Sequence, residues 1–515
     1  MDSAKRPSII GERAPFFWSG CAAIAAGVLL HLPMLAMAHG MNNHLAGMEM
    51  DAGMWAGMTL ILVGVPLAIF GALPKQRAPH GADAGTSYEA PDTTPLGRWH
   101  AGVLLVLILG LVIDVMKPAT LGFVLPGLAA EYGIGRSTAA FLPFVALVGT
   151  TVGSFVWGWL ADIYGRRVSI LLSTILFVAT SVCGAMPAFE LNLLMCFLMG
   201  ASAGGMLPVV YTLLAEVMPP RHRSWVLVLV GGTGLVGGYL AASLAANAFE
   251  PVFGWRSLWL QGFPTGLILL ALARLIPESP RFLAEQGRLR ELDEMRTRFG
   301  IEPRPRQPVP ADAMVAQQRH GGLTLALVIS ALAWSFVNFG LLLWLPSDLQ
   351  ARGYSAGLAS GIIASSALVA LPTIMVAAWL YSAWSSKWTF VGTIVITFAG
   401  LLGALLPPAL LSSPPVLVAV IAMLIVGTNG MIAVLLPYAA ENYPLGVRGR
   451  ATGLVAGASK FGGVAVQAFA LIGLIPTLTG AAFALLVPMG AAAALVGWAG
   501  RETRGRSLRE LEAHG

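Results

Sequence analysis

Three ionisable side chains stand inside stretches of sequence that are otherwise apolar. Asp114 and Lys117 occur in "LGLVIDVMKPATLGFVLPGL", and Lys460 occurs in "GASKFGGVAVQAF". An ionisable residue in hydrocarbon costs about 2.5 to 3.5 kcal/mol on insertion scales, and it normally faces a bundle interior or a water-filled path. Two buried cations therefore predict a binding site for an anion.

The spacing around Asp114 predicts how such a site could work. Asp114 and Lys117 are three residues apart and share a helix face, while Pro118 and Gly122 predict an interrupted helix that faces a cavity. We hypothesise that Lys117 and Lys460 attract a substrate carboxylate, and that Asp114 pairs with Lys117 until protonation of Asp114 frees it. The alternative is a structural pair of Asp114 and Lys117, with Lys460 bound to backbone carbonyls.

The composition identifies the elements that must hold these residues. Of the 515 residues, 57% are hydrophobic and only 11% are charged, which excludes a soluble domain of this size. Apolar stretches of about 20 residues recur about 14 times, each long enough to cross the bilayer as a helix, and one is predicted at 256–276. Because the alternation typical of membrane barrels is missing, we predict an all-α membrane protein.

Basic residues predict the orientation of these helices. With the N-terminus in the cytoplasm, most of the 31 Lys and Arg residues lie in or beside cytoplasmic segments. We therefore expect a monomeric, multi-pass protein of the bacterial inner membrane with both termini cytoplasmic. The net charge of +6 reports this topology and does not indicate nucleic-acid binding.

The sequence contains no pattern of catalytic or cofactor-binding residues. Cys21, Cys183 and Cys196 lie inside predicted spans, and there is neither a Cys-x-x-Cys pair nor a Gly-rich phosphate loop. The sequence therefore predicts that the protein is not an enzyme and binds no cofactor. Its expected partners are a small molecule, protons and the lipid bilayer.

Two internal polar stretches and a polar tail divide the chain into six predicted parts. These are an N-terminal two-helix hairpin (1–75), a cytoplasmic linker (76–98), a six-helix bundle (99–276), a cytoplasmic inter-bundle segment (277–320), a second six-helix bundle (321–500) and a cytoplasmic tail (501–515). The charged part of the inter-bundle segment should form short surface helices, and "IEPRPRQPVPAD" after it should be extended and mobile.

An internal repeat relates the two predicted bundles. "AEVMPPRHR" and "AENYPLGVR" each place an acid, then a Pro, then an Arg at matching positions after the fourth helix of a bundle, which predicts parallel halves with a site between them. Together with "GWLADIYGRR", "PESPR", "RGRATG" and "RETRGRS", these motifs resemble the major facilitator superfamily. The resemblance is closest to its sugar-porter branch and to the related aromatic-acid and organic-ion transporters.

The resemblance implies two six-helix bundles that alternate access to a central site, with two extra N-terminal helices added. It also implies a cytoplasmic gate that latches the outward-open state, formed by Gly158, Asp162, Gly165, Arg166, Arg167, Glu216, Arg223, Glu278, Arg281, Glu441, Arg448 and Glu502. The matching loop of the second half, "WLYSAWSSKW", keeps little of the motif. The latch is therefore expected to be lopsided.

The resemblance also assigns roles inside the membrane. Asp114 matches the first carboxylate of the aromatic-acid symporters, Lys117 replaces the second, and Lys460 matches a position that is often Arg in the organic-anion branch. The expected substrate contacts are Lys117, Lys460, Asn338, Asn429, Gln467 and Tyr211, with Asp114 as the proton-coupling residue. Asn338 and Asn429 are favoured because a buried amide needs partners, although each of these residues could also serve packing alone.

The N-terminal hairpin carries a cluster of Met and His residues around its predicted external loop, "HLPMLAMAHGMNNHLAGMEMDAGMWAGM". Thioether and imidazole groups suit copper, especially Cu(I), and helical spacing would place several on one face. The candidate ligands are His39, His44, Met48, Met50 and Met54. The alternative, which we favour, is that these Met residues are flexible apolar packing residues.

These observations predict a secondary active transporter that works by alternating access. The favoured function is proton-coupled symport of a small organic anion, such as an aromatic or other carboxylic acid. The alternatives are a copper transporter or copper-regulated carrier that uses the hairpin loop, and a sugar or polyol porter.

Overall fold

The computed structural model describes residues 13–41, 43–73, 86–305, 321–443, 445–474 and 477–504. Within these residues, 13 helices are long and apolar enough to cross a membrane. The stretch predicted at 256–276 contains a shorter apolar helix, Ser257–Leu272. The all-α membrane fold predicted from the composition is confirmed.

The N-terminal hairpin consists of α1 (Ala14–Leu29), α2 (Leu32–His39) and α3 (Ala52–Ala72). Glycines bring α1 and α3 into backbone contact. A Cβ atom on Gly20 would lie 2.4 Å from the backbone nitrogen of Ala68, so only glycine fits there. Small residues at a helix interface are a usual means of packing in lipid, where the hydrophobic effect does not drive association.

The first half is the helical region from 98 to 275. Its helices are α4 (Arg98–Tyr132), α5 (Arg136–Ala139), α6 (Phe141–Tyr164), α7 (Arg166–Ala179), α8 (Phe189–Ala203), α9 (Met206–Val217), α10 (Pro220–Phe253), α11 (Ser257–Leu260) and α12 (Gly262–Leu272), with a 3₁₀ turn at Thr180–Ala185. The predicted interruption of α4 at Pro118 is wrong, because α4 is continuous through it. Neighbouring helices and local adjustments satisfy the backbone groups that a membrane Pro frees.

Two short helices follow the first half, and a small sheet joins the segment after them to the linker before α4. α13 (Pro280–Glu285) and α14 (Leu289–Phe299) are the surface helices predicted there. The strand β1 (Thr86–Glu89) pairs antiparallel with β2 (Glu302–Pro305), so the linker before α4 is joined to the segment after α14. The rest of the segment predicted to be extended and mobile, from 306 onward, lies outside the described residues.

The second half is the helical region from 321 to 499. Its helices are α15 (Gly321–Ser335), α16 (Leu345–Ala351), α17 (Ala356–Ala383), α18 (Ser386–Gly403), α19 (Pro408–Leu411), α20 (Pro414–Asn442), α21 (Leu445–Leu471) and α22 (Leu478–Ala499). A π-helical turn at Phe336–Leu342 follows α15, and such turns are frequent at functional sites. The halves meet where α10 packs on α17 and α6 packs on α21.

We name the two ends of the bundle by their charges. The basic end is where α6 meets α7, and Arg166, Arg167 and Arg223 lie there. The opposite end is where α4 and α10 finish, and Glu131 and Arg256 lie there.

Candidate functional site

Lys117 is held entirely inside the first half. Its ammonium donates to the backbone oxygen of Phe177 (2.6 Å) and to Oγ1 of Thr180 (2.7 Å), and it lies 4.4 Å from the centroid of the Phe177 ring. The side chain is fully buried. Among the described residues it forms no ion pair with Asp114, so the predicted pairing of these two residues is wrong here. The long lysine stem reaches α7 instead of its own helix face.

Asp114 interacts with Lys460 across the gap between the halves. The positive charge of Lys460 and the negative charge of Asp114 act on each other. Asp114 is 7% exposed, and Lys460 is half-buried although it lies near the middle of the membrane-spanning part of α21. In the described part of the chain, neither side chain forms a hydrogen bond or an ion pair. The two charges therefore remain available to a ligand.

Contacts between α15 and α21 show which residues share a side with Lys460. The hydroxyl of Ser335 donates to the backbone oxygen of Ser459, and a Cβ atom on Gly463 would lie 2.8 Å from the ring of Phe339. Both helices begin at the basic end, so they are parallel. An α-helix has 3.6 residues per turn, and two parallel helices turn in the same direction while facing each other. The residue before a contact on one helix and the residue after the contact on the other therefore point to the same side of the helix pair.

Trp334 and Asn338 therefore lie on the side of this contact from which Lys460 emerges. The indole N–H of Trp334 is buried without a hydrogen-bond partner. Asn338 is half-buried in the π-helical turn, and its amide forms no hydrogen bond with any described residue. Polar groups at this depth are normally paired, so an indole N–H and an amide on the same side as Lys460 make this a candidate ligand site.

Gln467 has a structural position. Its Oε1 accepts from the indole of Trp344 (3.2 Å), and its Nε2 donates to the backbone oxygen of Phe339 (2.6 Å). The side chain is fully buried. Gln467 therefore ties α21 to the π-helical turn and orients the wall of the site.

Two other residues predicted to contact the substrate differ in whether their polar groups have hydrogen-bond partners. Asn429 donates to the backbone oxygen of Ile425 in its own helix (2.9 Å). The hydroxyl of Tyr211 is buried without a partner and lies over α10, where a Cβ atom on Gly231 would be 1.8 Å from it. Tyr211 thus explains why a glycine occupies position 231.

At the basic end of the first half, Glu278 caps α7. Its Oε1 accepts the backbone N–H groups of Arg166 (2.7 Å) and Arg167 (3.4 Å). Gly165 has a φ of +98°, and a Cβ atom there would lie 2.4 Å from Oε2 of Glu278, so glycine is required on both grounds. Burial raises the pKa of Glu278 against the effect of these hydrogen bonds.

The guanidinium of Arg166 connects the same end to other helices. It lies 3.3 Å from Glu216 on α9 and 3.5 Å from Asp162 on α6. Arg223 lies in the field of several carboxylates, among them Glu216 and Glu441. Arg223 is therefore placed to link the two halves electrostatically.

Two predicted gate residues, Arg281 and Gly158, form no side-chain hydrogen bond or ion pair with this cluster in the described part of the chain, although Arg281 lies in the field of Glu216 and Asp162. Arg281 pairs with Glu285 in α13 at 2.9 Å, and that hydrogen bond raises its pKa. Gly158 in α6 faces open space. The side chain of Arg448 lies outside the described residues.

The second half uses hydroxyl groups where the first half uses guanidinium groups. Glu502 caps α18 by accepting the backbone N–H (2.9 Å) and the hydroxyl (2.7 Å) of Ser386, and it also accepts from the hydroxyl of Ser385. Burial opposes ionisation of Glu502, but these hydrogen bonds lower its pKa overall.

Glu441, the counterpart of Glu216, is also held by hydroxyl groups. It accepts from Tyr381 (2.7 Å), Thr503 (2.7 Å) and Ser224 of the first half. Among the described residues, Glu441 is therefore held by hydroxyl groups, whereas Glu216 lies against the guanidinium of Arg166.

An ion pair at the opposite end was not predicted. Arg256 and Glu131 lie 2.8 Å apart and are almost fully buried. Glu131 also accepts the backbone N–H groups of Leu45 (2.6 Å) and Ala46 (2.9 Å), which ties the hairpin loop to the first half. The two charged residues are 125 positions apart, so no local pattern joins them.

The predicted copper ligands do not converge. Residues 43–51 are irregular, so the helical spacing assumed for His44 and Met48 is wrong. His39 and His44 are exposed, Met48 and Met50 are half-buried against the core, and Met54 is fully buried. Across the described ranges, no group of three or more His, Cys, Asp or Glu could hold a metal.

Comparison with known proteins identifies the family. The model of the Major Facilitator Superfamily matches residues 107–467. The chain is 26% identical over 392 residues to the niacin transporter NiaP of Acinetobacter baylyi, covering 73% of this chain and 87% of that protein. It is 26% identical over 429 residues to the 4-hydroxybenzoate transporter PcaK of the same species, covering 76% and 90%.

A solved structure agrees with the fold. The xylose transporter XylE from E. coli, in a partially occluded inward-open conformation, has a TM-score of 0.62 at 18% identity and covers 80% of this chain and 100% of that one. At this identity the likeness concerns the fold alone. Because the family model matches well over half of its length, the chain belongs to the Major Facilitator Superfamily.

Proposed function

We propose that this protein carries small aromatic carboxylates across the membrane by alternating access, in symport with protons. Lys460 binds the carboxylate and Asp114 exchanges the proton. The observation that carries the proposal is the pair of opposite charges between the halves, which have no other partner among the described residues. Relatives that transport niacin and 4-hydroxybenzoate support an aromatic acid as the substrate.

The pair gives a physical reason for coupling an anion to a proton. In the empty site, Lys460 and Asp114 balance each other. A substrate carboxylate brings a second negative charge to one cation, and an uncompensated charge in a site of low dielectric is unfavourable. Uptake of one proton by Asp114 restores neutrality, so anion and proton bind together and leave together.

Contacts between the halves at both ends support a site that opens to each side in turn. At the opposite end, Tyr239 donates to the backbone oxygen of Leu342 (3.0 Å) and Asn247 donates to that of Gly357 (2.6 Å). At the basic end, Ser224 donates to Glu441. Each of these polar contacts is a single hydrogen bond, which suits an interface that must separate.

The basic residues support an orientation for this cycle. By the positive-inside rule, the basic end faces the cytoplasm of a bacterial cell and both termini are cytoplasmic. We further propose that the protein acts as a monomer in the inner membrane. The proposal keeps the predicted division of the chain into a hairpin, two bundles and three polar segments. Labelling of cysteines introduced at each end in intact cells tests this orientation.

Uptake by purified protein in proteoliposomes tests the function. With an inward proton gradient, nicotinate and 4-hydroxybenzoate should accumulate, and a protonophore should abolish accumulation. Asp114→Asn should keep exchange of labelled for unlabelled substrate but lose accumulation, because the amide cannot carry a proton. Absence of aromatic carboxylate uptake by the unsubstituted protein would overturn the proposal, and accumulation by Asp114→Asn would remove the proton role of Asp114.

The same proteoliposomes distinguish carboxylate transport from the copper-dependent alternative. Purified protein should contain no stoichiometric copper, and a Cu(I) chelator should leave carboxylate uptake unchanged, because Met54 is buried and the exposed histidines do not converge. Copper-dependent uptake would instead support the copper transporter considered above.

A further inference from the structure

Trp334 has a buried donor that the fold does not use. The side chain is 7% exposed, and its Nε1 has no hydrogen-bond partner in the described chain. Other tryptophans of the protein do satisfy this group: Trp157 donates to the backbone oxygen of Ala201 (2.6 Å) and Trp255 donates to Glu131 (2.8 Å). A buried donor without a partner is unfavourable. Because the Nε1 of Trp259 is likewise unpaired in the described chain, the position of Trp334 decides whether a ligand can use its donor.

The position of Trp334 relates this donor to the charges of the site. It immediately precedes Ser335, which contacts Ser459, the residue immediately before Lys460. In a parallel helix pair this places Trp334 and Lys460 on one side of the contact. The ring of Trp334 packs edge-to-face on Phe339, with centroids 5.6 Å apart at 80°, and this packing fixes the direction of the indole N–H.

We propose that Trp334 is a specificity-determining residue, whose indole N–H selects aromatic carboxylates that carry a hydrogen-bond acceptor on the ring. The proposal rests on the proposed function, since it concerns the same site. Lys460 binds the carboxylate of any such acid. Trp334 then distinguishes a ring with a nitrogen or hydroxyl oxygen from a bare ring, which leaves the donor unpaired.

The physical basis is the asymmetry between making and losing a buried hydrogen bond. A site built to pair a polar group of the substrate rejects an analogue that lacks the group, because the protein donor is then left without water or ligand. Such a loss reduces affinity by roughly tenfold for one neutral hydrogen bond. Binding of the carboxylate should not change with the ring substituent.

Pairs of probes that differ in one ring atom or group test the proposal. Nicotinate and benzoate differ by a ring nitrogen, and 4-hydroxybenzoate and benzoate differ by a hydroxyl. Their affinities are measured by competition against labelled nicotinate on the full-length protein. Trp334→Phe removes the N–H and keeps a ring, while Trp259→Phe is the matched control, because the Nε1 of Trp259 is also buried without a partner but lies in α11.

The unsubstituted protein and Trp259→Phe should prefer at least one ring-acceptor probe over benzoate by roughly tenfold, and Trp334→Phe should lose that preference while still binding benzoate. An equal loss of affinity for all probes in Trp334→Phe would indicate packing and overturn the proposal. If that variant does not fold, the unsubstituted protein still decides, since equal affinity for all three probes excludes a selecting donor. Failure of all three to bind would instead remove the proposed function.

Discussion

The two halves of this protein treat their ionic groups differently. In the first half, Lys117 is fixed by Phe177 and Thr180, and Arg256 is fixed by Glu131. In the second half, Lys460 has no hydrogen bond or ion pair with any described residue and responds to an aspartate across the gap. The two lysines look alike in the sequence, yet only one is satisfied by the fold.

This difference indicates how a structural charge can be told from a functional one. A buried ionisable group that the fold completes has no further use for a ligand, whereas one left incomplete raises the free energy of the empty protein until a ligand arrives. On this view the lysine of the first half serves the fold, and the lysine of the second half is presented to the substrate. Each of the following substitutions tests one side of the contrast.

The largest effect on stability is expected at Glu131. Glu131→Gln leaves Arg256 buried with an uncharged partner, and breaking a buried ion pair costs about 3 to 5 kcal/mol. The midpoint of unfolding in detergent should fall sharply, and the hairpin loop should become more accessible to protease. A single amide oxygen would have to replace the two carboxylate oxygens that now accept from Leu45, Ala46, Trp255 and Arg256. The control is Glu285→Gln in an exposed pair, which should cost less than about 1 kcal/mol. Equal effects would show that the opposite end isn't held by Glu131.

The largest effect on transport is expected at Lys460. Lys460→Gln keeps a polar side chain of similar reach but removes the charge, and a hydrogen bond to a charged group contributes up to about 3 kcal/mol. The KM for nicotinate should therefore rise by about 100-fold, while the unfolding midpoint changes less than in Glu131→Gln, because Lys460 forms no hydrogen bond or ion pair with a described residue and the buried Asp114 can take up a proton when its countercharge is removed. Uptake with an unaltered KM would place the anion elsewhere and remove the contrast between the lysines.

Lys117 should show the reverse pattern. Lys117→Met retains the length of the side chain and removes an ammonium that donates to Phe177 and Thr180. The expected loss is about 2 kcal/mol of stability, measured as a lower midpoint of unfolding, with the KM for nicotinate of the folded protein unchanged. A rise in KM comparable to that of Lys460→Gln would return Lys117 to the substrate site.

The contrast between the lysines could not be read from the sequence. The apolar runs, the repeat and the motifs predicted the fold, and they placed Lys117 and Lys460 inside it. The spacing of Asp114 and Lys117 suggested a pair, but a flexible stem can reach any helix within several ångströms. The partner of Lys117 lies 60 residues away, and it is a backbone oxygen, which every residue carries.

The basic end shows the same limit. The motifs indicated Arg166 and Glu216, whose charged side chains lie 3.3 Å apart at the basic end. They did not indicate that Glu502 would cap α18 through Ser385 and Ser386, since serines are common in loops and carry no distinctive pattern. Sequence patterns therefore predicted charged partners better than hydroxyl or backbone partners.

The smallest effects are expected from the two capping carboxylates, and pH should separate them. The pKa of Glu502 is lowered by its hydrogen bonds, so ionisation of Glu502 stabilises the folded protein above the ordinary glutamate pKa, and this contribution disappears as the pH falls through the lowered value. The pKa of Glu278 is raised by burial, so its contribution is complete at low pH and disappears as the pH rises through the raised value.

At neutral pH, Glu502→Gln should therefore lower stability by about 1 kcal/mol, whereas Glu278→Gln should change it little, because the amide oxygen can still accept from α7 without a desolvated charge. Unfolding midpoints measured at neutral and acidic pH test this. The deficit of Glu502→Gln relative to the unsubstituted protein should shrink with acidification, since protonation removes the charge that the substitution removes. A deficit of Glu502→Gln that grows with acidification would contradict the lowered pKa of Glu502. A larger deficit for Glu278→Gln at neutral pH would mean that the first half depends on its capping charge more than the second half does.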